Sequence, residues 1–65
     1  MALVQIFSNK KCLPLEIIPT SEHSSNFYCA VAQMERRAGH PVSFIAEGIA
    51  IIPLKGDKRL VVMRT

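Results

Sequence analysis

Four side chains in this sequence are of the types that hold zinc: Cys12, His23, Cys29 and His40. Structural zinc sites in small domains draw on close Cys or His pairs, because one tight turn must aim two ligands at one ion. Here the intervening stretches are ten, five and ten residues. No metal is therefore expected, and no other cofactor. The histidines could instead act as general acid or base, His23 or His40 working beside Arg36 or Arg37 as stabilisers of phosphate charge, the minimum for a small metal-free nuclease or toxin. Both histidines stand in polar stretches next to helix ends, and His40, between Gly39 and Pro41, has a sufficient explanation as part of a helix terminator. No Ser-His-Asp pattern is present, and Gly39, Gly48 and Gly56 are isolated at turns instead of forming a phosphate loop. With five acidic residues and no close pair among them, carboxylate chemistry has little to work with. The expectation is a protein that is not an enzyme and has no catalytic residues.

The charges offer more. Basic residues gather at Lys10 and Lys11, at Arg36 and Arg37, and at Lys55, Lys58 and Arg59, within a net charge of +3. If Glu47-Gly48 is a turn, the chain path brings the first hairpin tip, the helix C-terminus and the last hairpin tip to one end of a sheet. That end would carry all seven cations, accompanied by Glu35 and Asp57. Such a surface suits phosphates of nucleic acid or an acidic protein partner. Arg36 and Arg37 also suit the negative end of the helix dipole, and lysines at hairpin tips serve solubility. The usual companions of nucleic-acid recognition are missing: one Tyr, three Phe and no Trp, with no aromatics interleaved among the cations.

The elements that must position these groups are short. Sixty-five residues allow one small domain, residues 1–65. The apolar share, 49%, excludes a disordered chain. Two cysteines are too few for a disulfide framework and are expected as free thiols. The first residues lack the basic start of a signal peptide, and no apolar run approaches a membrane span, so a cytoplasmic protein with no membrane partner is expected.

Residues 2–7 and 12–18 read as two apolar strands around the break Ser8-Asn9-Lys10-Lys11. The stretch from Pro19 to Ser25 is turn chemistry. Ser25 is then placed to cap a helix of about 14 residues, with Phe27, Ala30, Val31, Met34 and Ala38 on one face, ended by Gly39 and Pro41. Strands follow over residues 42–46, 49–54 and 59–64, the last two joined by a turn at Lys55-Gly56-Asp57-Lys58. A turn at Glu47-Gly48 gives the order β-β-α-β-β-β. A bulge at Gly48 would give β-β-α-β-β instead. The fold class is α+β: a small antiparallel sheet with one helix packed on one face.

That arrangement leaves a mismatch. A sheet wetted on one side alternates apolar and polar residues, yet residues 13–18, 49–52 and 60–63 carry apolar groups toward both faces. One helix covers one face. A chain this size hides only about 60% of the surface its unfolded form exposes, so forgoing more burial is expensive. A second copy, giving a homodimer, or a docked protein partner would supply the missing cover. The helix adds a second candidate surface opposite its core stripe, formed by Tyr28, Cys29, Ala32 and Arg36, with Gln33 beside them, because small residues there allow close approach. The functional expectation is a small noncatalytic binding or regulatory protein, an adaptor or inhibitor of a macromolecular partner and a homodimer, of the kind frequent among accessory proteins of bacteria and phages. The alternative is a nucleic-acid-binding protein that uses the basic end.

Overall fold

A computed structural model describes residues 1–65. Its elements are β1 (Ala2–Ser8), β2 (Pro14–Ile18), a 3₁₀ turn (Thr20–Glu22), α1 (Phe27–Ala38), β3 (Ser43–Ala46), β4 (Ile49–Leu54) and β5 (Lys58–Arg64). The five strands form one sheet in the order β2-β1-β5-β4-β3, and every neighbouring pair is antiparallel. This is the α+β order expected from the sequence, with Glu47-Gly48 as a turn. Gly48 takes a φ of 76°, a region that side chains rarely enter. The bulges lie elsewhere, in β2 opposite Ile6 and Phe7 and in β3 between Phe44 and Ala46.

The helix forms where its apolar spacing says it should. Phe27, Ala30, Val31 and Met34 are buried, and Ala38 packs at the margin of the same cluster. Gly39 adopts the left-handed conformation, and its N–H bonds the Glu35 carbonyl at 2.9 Å. The start differs from expectation. Asn26, not Ser25, is the N-cap, its side-chain oxygen accepting from the Cys29 N–H at 3.1 Å, and the helix runs for 12 residues. The preceding segment is more ordered than its turn-forming composition suggests. It lies along the helix, with the Ser24 N–H donating to Gln33 Oε1 at 2.7 Å and Glu22 facing Arg37 at 3.7 Å.

Register fixes which residues share a face. Val4 pairs with both Ile18 and Val62, Val62 with Ala50, and Leu60 with Ile52. All six are buried in one cluster with the apolar stripe of α1. Met34, Ile52, Val4 and Val62 are the largest side chains fully enclosed there. Burial of each is worth roughly 1.5–3 kcal/mol, so this layer is the main source of stability. No helix is long and apolar enough to cross a membrane.

Candidate interaction surfaces

Because side chains alternate along a strand, the neighbours of those core residues point away from the helix. Leu3 pairs with Met63, Met63 with Ile49, Val61 with Ile51 and with Gln5, and Gln5 with Ile17. Leu3, Ile17, Ile49, Ile51, Val61 and Met63 therefore form an apolar field across four strands on the side opposite α1. Val61, at its centre, is only 8% exposed because its neighbours close around it, whereas Ile17 at the margin is 56% exposed. The Phe7–Arg59 pair bounds the field toward the hairpin tips. There the Arg59 guanidinium lies 4.9 Å from the Phe7 ring centroid, and its Nη1 donates to the Ser8 carbonyl at 2.7 Å.

A second surface lies where the first turn of α1 meets β3. The rings of Phe27 and Tyr28 stand edge to face with centroids 5.2 Å apart, and Phe44 lies 6.4 Å from Phe27. Arg64 sets its guanidinium over both rings, 4.9 Å from Phe27 and 5.4 Å from Tyr28. A hollow of about 420 Å³ opens beside these rings, lined by Phe44, Ile45 and the chain through Gly48. A neighbouring one of about 510 Å³ is lined by Met1, Ser25, Asn26, Arg64 and Thr65 together with the same two rings. Tyr28, Phe44 and Ile45 are 62%, 55% and 61% exposed, high values for side chains of their size.

The cations fall as follows. The Asn9 N–H donates to the Asp57 carbonyl at 3.0 Å and Asn9 Nδ2 to Asp57 Oδ1 at 3.2 Å, which holds the two hairpin tips side by side. Lys10 lies 3.9 Å from Asp57. Lys11, Arg36, Lys55 and Lys58 are exposed and make no salt bridge. Arg37 is engaged by Glu22, and Arg59 by Phe7 and Ser8. Glu35 does not accompany the cations as an ion-pair partner; its carboxylate accepts the Val42 N–H at 3.0 Å. On the outer face of α1, Tyr28, Cys29, Ala32 and Arg36 are all exposed, while Gln33 is half-buried and held by Ser24.

The histidines do not converge on any of these surfaces. His23, read from sequence as a polar loop residue, is buried. Its Nδ1 lies 2.8 Å from the Ser24 carbonyl, and its Nε2 is enclosed with no hydrogen-bond partner. His40 is exposed. Cys12 and Cys29 are exposed free thiols, and no three metal-ligating side chains cluster. The residues that sequence reasoning overlooked are Phe44 and Arg64. For Arg64 the signal is alternation, since Leu60, Val62 and Arg64 occupy every second position of β5 and so share the helix side, whereas Phe44 is brought to that side by its pairing with the core residue Ala50. Comparison with protein-family models, with curated proteins and with solved structures gave no match.

Proposed function

We propose that this chain is a small noncatalytic binding protein, an adaptor or inhibitor of a macromolecular partner, and that it works as a cytoplasmic homodimer whose copies meet through the sheet face opposite α1. The observation that supports this reading is the apolar field of Leu3, Ile17, Ile49, Ile51, Val61 and Met63, which no helix of the chain covers. Four strands spaced ~4.8 Å apart, each rising ~3.3 Å per residue, give this field a footprint of roughly 20 by 20 Å. Two such faces, corrugated by their side chains, reach the ~1,000 Å² of total area at which specific interfaces begin. If each of the five partly exposed side chains, all but the enclosed Val61, gains about 1 kcal/mol, the two copies together gain roughly 10 kcal/mol before the cost of association. That cost is at least ~4 kcal/mol, which leaves at most about 6 kcal/mol, so a dimer with a Kd of tens to hundreds of micromolar is the expected scale. A two-fold axis lets one patch meet itself, with the sheets stacked ~10 Å apart.

Ile51 and Ile52 test this reading because they are adjacent in the chain and point to opposite faces. Ile51→Lys should give a folded monomer, and Ile52→Lys should not fold. Ile17→Lys, at the margin of the field, gives the same readout with less demand on the fold. Folded Ile51→Lys and Ile17→Lys chains that keep the mass of the parent would refute the proposed interface.

Nucleic-acid binding by the basic end is the second reading. It is favoured by the Asn9–Asp57 hydrogen bonds, which bring Lys10, Lys11, Lys55 and Lys58 to neighbouring tips.

A further inference from the structure

We infer that the outer edge of β3, with the hollow beside it, is a second docking site, one that takes an extended, apolar and acidic segment of a partner protein as a sixth strand. The inference rests on the reading of the chain as a binding protein and concerns a different surface from the dimer face.

An exposed strand edge is a template for another strand, and proteins usually guard it with proline, charge, bulges or shortness. The two edges of this sheet are guarded unequally. β2 carries Pro14, which has no N–H to offer, and the charge of Glu16. β3 reads Ser43-Phe44-Ile45-Ala46, with neither proline nor charge, and all four residues are exposed. Its hydrogen-bonding partner lies on one side only, in β4. The shortness and the bulge of β3 limit how long a segment can pair there, and they do not close the edge.

Strand addition needs a second component, because main-chain hydrogen bonds give affinity while pockets for alternate side chains give selectivity. The hollow of about 420 Å³ supplies it, with Phe27, Tyr28 and Phe44 as an apolar wall directly beside β3. Charge narrows the occupant further. Arg64 lies across Phe27 and Tyr28, and its one ion-pair partner is Glu47 at 3.7 Å, whose side chain is 90% exposed. An exposed pair of that kind contributes little, so a carboxylate on the incoming strand can replace Glu47 at small cost.

The test uses the full chain, panned against a displayed library of random linear heptapeptides. The expected winners alternate apolar residues with Asp or Glu, and a synthetic copy should bind with micromolar affinity. Binding should fall at least about tenfold in Ile45→Glu and in Arg64→Gln, a loss of roughly 1.4 kcal/mol in each. Hydrogen exchange should slow at the amides of β3 when the peptide is added, a readout that needs no variant. Ile51→Lys should keep peptide binding, so loss of the dimer and loss of this site are separable. A library without enriched sequences, peptides whose binding survives Ile45→Glu but not Ile51→Lys, or a β3 edge whose exchange is unchanged by bound peptide would each overturn the inference. So would a dimer that Ile45→Glu dissociates, since the edge would then belong to a second copy.

Discussion

The backbone N–H of Arg64 donates to the carbonyl of Gly48 at 2.8 Å, and a methyl group on Gly48 would stand 3.1 Å from the Arg64 Cβ. The β3–β4 turn is thereby fastened to the end of β5, at the residue whose guanidinium lies over Phe27 and Tyr28. Turn, strand end and aromatic cluster act as one unit, so damage to the turn should reach the hollow beside β3.

Gly48→Ala should accordingly cost more than Gly39→Ala. Both glycines have φ above 70°, but a methyl on Gly39 meets nothing within 4 Å. The left-handed conformation alone costs ~1–2 kcal/mol, the expected loss for Gly39→Ala. Gly48→Ala adds the displacement of Arg64, for roughly 2–3 kcal/mol in all. Urea unfolding midpoints at matched protein concentration measure the difference.

Asn26→Ala removes the acceptor for the Cys29 N–H and should destabilise by ~1 kcal/mol. Ser25→Ala should fall within about 0.5 kcal/mol of the parent. Thermal unfolding of the two variants decides which residue caps α1.

At the basic end, Lys55→Gln and Lys58→Gln should leave stability within about 0.5 kcal/mol of the parent. Arg59→Gln should cost roughly 1–2 kcal/mol, because it loses the bond to Ser8 and the contact with Phe7. Fluorescence anisotropy with mixed-sequence DNA and RNA at low salt should detect no saturable binding. If binding is present, it should weaken with salt, and each lysine removed should flatten the logarithmic slope by about one. The second reading would then replace the first.

Cys12 and Cys29 are both exposed, so a thiol reagent should modify two groups per folded chain. Cys29 lies on the outer face of α1 with Tyr28, Ala32 and Arg36. Attachment of a bulky maleimide there should leave the dimer mass unchanged apart from the label. Dissociation on labelling would move the contact from the sheet to the helix.

Much of this architecture is legible in the sequence because it is written in local patterns. The 3.6-residue spacing from Phe27 to Ala38, closed by Gly39 and Pro41, defines the helix, and the two-sided apolar runs at 49–52 and 60–63 announce an uncovered face. What remains hidden depends on partners distant in the chain. Ser25 and its neighbour Asn26 both carry a side-chain oxygen of the capping kind, and the backbone path selects Asn26, which meets the Cys29 N–H. His23 is buried because the segment before α1 folds along the helix, where Ser24 bonds Gln33. Arg64 reads as a polar strand end until β5 is set between β1 and β4, which carries it to the aromatic cluster.

Sedimentation equilibrium of the parent chain, from the low-micromolar to the near-millimolar range, tests the central claim most directly. The mass should rise from 7.2 kDa toward twice that value as the concentration passes through tens to hundreds of micromolar and go no higher, as a closed two-fold pair requires. A mass that stays at that of one chain across the whole series would contradict it.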